Sequence, residues 1–207
     1  MIRRIDRVRR IKGLALALAA FAATAGTAGA ACGDSPNDKP VFLSFDACPM
    51  AQASQIAEVL NRQNVKATFF VADGSALDDD WAPWWQARVA EGHAFGARPE
   101  RAVAPSGYCA EIERAATRFH AVTGRTMPKI SRPAAGKTPS VLAVTAERCG
   151  WTLVSASSAV VSREVRPGDV LRVRAANLEP LIVGVKARGM CFATLREHSA
   201  YRAQFAW

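Results

Sequence analysis

From residue 41 onward, short apolar runs alternate with stretches whose apolar residues recur every three or four positions. Residues 41–47 (VFLSFDA) form an apolar run that ends in an acid. Residues 51–63 carry Ala53, Ile56, Ala57, Val59 and Leu60 at helical spacing. Residues 65–71 (VKATFFV) are β-branched and aromatic, and predict a strand. Asp78, Asp79 and Asp80 precede a helix over 81–91, where acids suit the positive end of the helix dipole, and Gly92 closes it. A short strand is expected over 94–98. Residues 108–122 set Ile112, Ala115, Ala116 and Phe119 on one helix face, ended by Gly124. Then come a strand over 129–134 cut by Pro133, a helix over 140–148, strands over 151–155 and 169–174, a helix over 177–188 stopped by Gly189, and a last strand over 190–195. Residues 155–161 (SASSAVV) read as a loop.

Strands alternating with helices predict an α/β protein with a parallel sheet or barrel. Seven strands and five helices suit a distorted, incomplete (β/α)7 barrel, since a complete eightfold one takes about 250 residues. In such folds chemistry collects at the C-terminal strand ends. Those ends are Asp46, Arg98, Arg132 and Arg174. No internal repeat is visible.

The first thirty residues differ in kind. A basic segment to Lys12 leads into LALALAAFAA at 14–23, and Ala28-Gly29-Ala30 offers small residues before Ala31. This is the three-part pattern of a secretory signal peptide, too short to favour a spanning helix. The chain thus divides into a signal peptide (1–30), a linker (31–40) and one domain (41–200), exported to a periplasm or beyond. The net charge of +9 depends on that leader: without its six bases and one acid it falls to +4. Nucleic acid is therefore not an expected partner. A later membrane span is not expected either, and no oligomeric state is indicated. Cys32 follows the leader where a lipid can be attached, but Gly29 stands where that signal wants a large aliphatic residue.

Six segments, in order, resemble the polysaccharide deacetylase family with its NodB-homology domain. Ser44-Phe45-Asp46-Ala47-Cys48-Pro49 sits where the family has T-F-D-D-G-P, and Val65–Val71 is similar to its V-K-A-T-F-F-V. Glu91-Gly92-His93, Arg132-Pro133, Gly168-Asp169-Val170-Leu171 and Ala187–Leu195 match its later motifs. The resemblance runs over about residues 39–197 and implies the incomplete barrel. It also implies hydrolysis of amide C–N bonds in N-acetylated polysaccharide by a metal, usually zinc, held by one Asp and two His. An Asp base and a His acid complete that machinery.

Carried over residue by residue, the machinery is broken. Asp46 occupies the base position and Arg132 that of the arginine that orients the base. The metal-ligand Asp is replaced by Ala47. The two ligand histidines fall at Arg98 and Ala102, with Arg101 adjacent if the register slips by one, and the general acid falls at Arg174. Arginine has no lone pair to offer a cation and repels it. No cofactor is therefore expected. The expected protein is a pseudoenzyme with a carbohydrate- or envelope-binding or regulatory role, with Arg98, Arg132 and Arg174 forming a cationic cup for an anionic glycan or, on the plainer reading, one of them replacing the lost metal charge beside Asp46 and the others solvated. The alternative is a working hydrolase built on Asp46, and the plainer reading of Asp46 is a salt bridge to Arg132 or Arg98. His93 reads as a structural histidine, and Trp81, Trp84 and Trp85 as packing residues. Export makes disulfides possible. With Cys48 and Cys109 at the barrel top and Cys149 and Cys191 at the bottom, the expected bridges are Cys48–Cys109 and Cys149–Cys191, leaving Cys32 over.

Overall fold

The computed structural model describes residues 32, 35, 37–46, 50–134, 140–155 and 165–195. The signal-peptide segment, Ala47, Cys48 and most of the loop read at 155–161 lie outside the described residues. Within them, seven parallel strands form one sheet in the order β5-β4-β3-β2-β1-β6, with β7 also on β1. The strands are β1 (Pro40–Asp46), β2 (Thr68–Val71), β3 (Ala94–Ala97), β4 (Ile130–Ser131), β5 (Thr152–Leu153), β6 (Val170–Arg172) and β7 (Cys191–Ala193). The helices are α1 (Ala53–Arg62), α2 (Ala82–Ala90), α3 (Pro105–Thr123), α4 (Ser140–Arg148) and α5 (Ala175–Ala187). This is the expected α/β architecture, an incomplete barrel: the order runs from β5 at one end to β6 at the other, and no pairing joins those two ends.

The alternation along each strand sorts two cores, because successive side chains in a strand point to opposite faces. Val41, Leu43 and Phe45 of β1, Phe69 and Val71 of β2, and Phe95 and Ala97 of β3 pack with the helices in one large core. Phe42, Phe70, Ile130, Val154, Val170, Ala193 and Leu195 form a smaller core on the concave face. Gly96 is what lets the concave face close up. A Cβ there would stand 2.7 Å from the Phe70 ring and 2.9 Å from the Ile130 carbonyl oxygen.

Element boundaries differ from expectation where pairing or a proline decides them. The strands read at 65–71 and 129–134 are cut to four and two residues. Helix α3 begins three residues early, at Pro105, whose missing N–H and fixed φ suit a first helical position. It ends as expected at Gly124, in the left-handed region at φ 69°.

The disulfides overturn the expected pairing. Cys109 bonds to Cys149 and Cys32 to Cys191. The reason is topological. Cys149 precedes β5, at one end of the strand order, while Cys191 opens β7 on β1, so the open barrel keeps the two apart. Instead, α4 ends beside the second turn of α3, where Cys109 lies, and both sulfurs approach the Thr145 carbonyl. Cys32 runs along β7, donating its N–H to the Phe192 carbonyl at 3.1 Å. Cys48, not Cys32, is then the fifth cysteine left over.

Candidate functional site

The register of the sheet builds the site. Asp46 ends β1 and faces the same side as Phe42. Arg132 follows β4 and Arg98 follows β3, and these two positions are neighbours because the Arg132 N–H donates to the Ala97 carbonyl at 3.0 Å. Arg172 ends β6, beside β1 with Ser44 in register. Period two from Phe42, Ile130 and Val170 in the concave core carries Asp46, Arg132 and Arg172 onto the same mouth.

Asp46 is bridged by two guanidiniums. Arg132 donates from Nη1 to Asp46 Oδ1 at 2.7 Å, and Arg172 from Nη1 to Oδ2 at 3.4 Å. The two arms differ. The Arg132 side chain is 5% exposed and that of Arg172 51%. Arg132 also lies over the Phe70 ring, 4.0 Å from its centroid, and donates from Nε to the Val154 carbonyl. Burial pulls its pKa below the ordinary arginine value. Asp46 opposes that, and the charges of Arg172 and Arg98 add to it. Arginine stays cationic through such a shift, so the charge must be met by anions.

Arg98 is buried, and it donates from Nη2 to the Ala134 carbonyl at 2.7 Å. It makes no ion pair among the described residues. Its Nε and the Nη2 of Arg132 are buried N–H donors without a hydrogen-bond partner among them. Two guanidiniums thus share one carboxylate, and a third, Arg98, stands beside them without one among the described residues.

Of the sequence-predicted residues, the structure brings Asp46 and Arg132 into contact, with Arg98 beside Arg132. Arg174 stands elsewhere in kind: it is the exposed N-cap residue of α5, its carbonyl accepting from the Asn177 N–H. It makes no ion pair with Asp46 among the described residues, and Arg172 supplies that contact. Sequence reasoning missed Arg172 because it extended the strand to 174. The signal was present in Leu171 and Val173, which face the helices and so turn 170 and 172 inward.

The residues present do not fit the metal of the resembled family. Of its ligand positions, Arg98 presents only donors and Ala102 is an exposed methyl group, while Ala47 lies outside the described residues. Among the described residues one trio of metal-type side chains gathers, Cys32, Asp38 and Cys191, and its two sulfurs are bonded to each other. His93 is held otherwise. Its Nδ1 accepts from the Ala67 N–H at 3.0 Å and its Nε2 faces Glu91 at 3.3 Å. Burial pushes its pKa down to about 4, so it is a neutral structural group at the base of β3. Trp84 and Trp85 pack edge-on against Phe69.

A family model for polysaccharide deacetylases matches residues 33–154. The chain belongs to the polysaccharide deacetylase family. No curated protein matches it. Among solved structures, it is similar to an acetyl xylan esterase of family 4 from Clostridium thermocellum, solved with a cobalt ion. That match has 24% identity and a TM-score of 0.67, and covers 81% of this chain and 92% of that one. It is also similar to a CE4 family pseudoenzyme from Bacillus anthracis, with 17% identity and a TM-score of 0.65 over 79% of this chain and 66% of that one. A mutant described as that pseudoenzyme with restored enzymatic activity matches at 18% identity and a TM-score of 0.65, over 79% of this chain and 68% of that one. At these identities the likeness establishes the fold. This member of the polysaccharide deacetylase family keeps the family's sheet, and Arg98, Arg132 and Arg172 stand with Asp46 at its mouth.

Proposed function

We propose that this member of the polysaccharide deacetylase family is an exported pseudoenzyme that binds a saccharide at the barrel mouth without hydrolysing it. One observation carries the reading: Arg98, at the position the resemblance gives to a metal-ligating histidine, is buried and presents only donors. Asp46 is bonded at 2.7 Å to a buried guanidinium, a charge-assisted contact. A dication would have to sit among three fixed positive charges. The crowding of positive charge opposes the alternative of a metal-dependent hydrolase; the Arg132–Asp46 pair alone does not, since Arg132 holds the position of the family's base-orienting arginine. The excess positive charge favours an acidic glycan over a neutral one.

Export is part of the proposal. Residues 1–30 act as the signal peptide, and the mature protein is periplasmic or extracellular. The two disulfides support an oxidising compartment. No helix among the described residues is long and apolar enough to cross a membrane.

The test is metal content and turnover together. Dialysed protein should carry no stoichiometric zinc and release no acetate from N-acetylglucosamine oligomers. One zinc per chain, with acetate release that disappears in Asp46→Asn, would replace this reading with that of a working deacetylase.

A further inference from the structure

The charges at the mouth do not balance, and the imbalance has a shape. Arg132 and Arg98 are both buried, on adjacent strand ends, and strands in a sheet lie about 4.8 Å apart. Two like charges so placed repel strongly unless anions sit beside them. Asp46 answers only one of them directly. Arg98 has a neutral carbonyl for its partner, Ala134. A buried N–H without a partner is costly, and each of these two guanidiniums carries one without a partner among the described residues, Arg132 at Nη2 and Arg98 at Nε. The third guanidinium, Arg172, holds Asp46 at 3.4 Å from a half-exposed position, a weak contact that an incoming anion can take over.

We infer that this juxtaposition is a built carboxylate site, with Arg98 and Arg132 as its buried donors and Arg172 as its exposed arm, and that it takes the carboxylate of a uronic-acid residue in an acidic saccharide. For the sugar this rests on the saccharide-binding reading above; for the carboxylate it does not. A carboxylate presents two oxygens in one plane, which answers two unpartnered N–H donors on two neighbouring guanidiniums. Its single charge also suits the surplus. Three cations against Asp46 leave two positive charges, one of them on the solvated arm of Arg172. A phosphate brings more charge and a third oxygen, for which no further buried donor is left unpartnered on these arginines. Asp46 stays in place under this scheme, because Arg132 Nη1 keeps it and Nη2 is the atom offered to the ligand.

The experiment is a calorimetric titration of the oxidised, full-domain protein with sodium glucuronate, with glucose and sodium phosphate as controls at matched ionic strength. Glucuronate should bind saturably and glucose should not, with phosphate at least about tenfold weaker. Arg98→Met should raise the glucuronate Kd about tenfold, the loss of one charge-assisted hydrogen bond. Arg172→Gln should raise it about threefold, as fits an exposed contact, and decides the matter if Arg98→Met does not fold. Absence of saturable glucuronate binding, phosphate binding as tightly, or an unchanged Kd in Arg172→Gln with no effect of Arg98→Met would overturn the site. A galacturonate tetramer separates this inference from the broader reading. If it binds no tighter than the monomer, the carboxylate site stands and the saccharide reading falls. If it binds with equal affinity in both arginine variants, the saccharide reading stands and the carboxylate site falls.

Discussion

Replacing Asp46 by Asn tests the electrostatics of the mouth most directly. The substitution keeps the side chain's shape and one acceptor oxygen for Arg132 Nη1, and removes the charge. What remains is a guanidinium only 5% exposed, over Phe70, beside Arg98 and Arg172, with no carboxylate facing it among the described residues. Breaking a buried ion pair from one side leaves the other charge uncompensated, which costs roughly 3–5 kcal/mol. The Arg172 contact adds little, because at half exposure an ion pair is worth at most about 1 kcal/mol. The retained oxygen places Asp46→Asn near the lower bound, at about 3 kcal/mol. Replacing both partners, as Asp46→Asn with Arg132→Met, removes the stranded charge together with its counter-ion, so the double variant should be more stable than Asp46→Asn alone. Urea unfolding followed by tryptophan fluorescence reads Asp46→Asn, Arg132→Met and the double variant, with the disulfides kept intact. If Asp46→Asn costs less than about 1 kcal/mol, or the double variant loses the sum of the two single losses, the pair is not the buried, mutually dependent unit described above.

Three further outcomes follow from other parts of the molecule. Burial holds His93 near 4, so between about 6.5 and 4 the unfolded chain takes up a proton that the folded chain refuses; its contribution is fully present above about 6.5 and is lost as pH falls, by up to roughly 3 kcal/mol. His93→Asn keeps an acceptor for the Ala67 N–H and should flatten that part of the stability–pH curve, whereas an unchanged slope would mean that other groups carry it. Gly96→Ala puts a methyl group 2.7 Å from the Phe70 ring, so it should destabilise by about 1–3 kcal/mol in the same urea assay, and a neutral result would contradict the close packing of the concave face. Intact mass spectrometry of the exported protein should find no lipid on Cys32, because its sulfur is bonded to Cys191, and a diacylglycerol adduct there would refute that bridge.

The elements were legible because each depends on local pattern. The helix at Ser140–Arg148 matches its sequence reading at both ends, and Gly124 ends α3 where a left-handed residue is needed. Strand lengths were less legible, since a strand ends where its neighbour ends: Ile130 and Ser131 pair with Thr152 and Leu153, and nothing within 129–134 announces that. The same limit hid Arg172. Whether a side chain near a strand end faces the mouth depends on the last residue that keeps the pleat, and in β6 that is Arg172 rather than Arg174. The disulfides failed for a third reason. Top and bottom of a barrel can be read from strand order, but neighbourhood around it requires knowing that the barrel is open.

The same openness bears on how a family fold survives the loss of its metal positions. The two hydrophobic cores draw on residues from every strand, and neither includes Asp46, Arg98, Arg132 or Arg172. The mouth still touches the smaller core, since Arg132 lies over Phe70. Electrostatics there still has to close, because Asp46 is nearly buried and an isolated buried carboxylate is not tolerated. Arg132 meets that charge, anchored by Phe70, which in turn needs the absent side chain of Gly96 to lie flat beneath it. With Asp46 held by Arg132, Arg98 has no ion pair among the described residues and Arg172 only the long contact to Asp46. On the reading proposed above, Arg98 and Arg172 make the mouth a receptor for negative charge from outside, the reverse of what a metal-binding mouth requires.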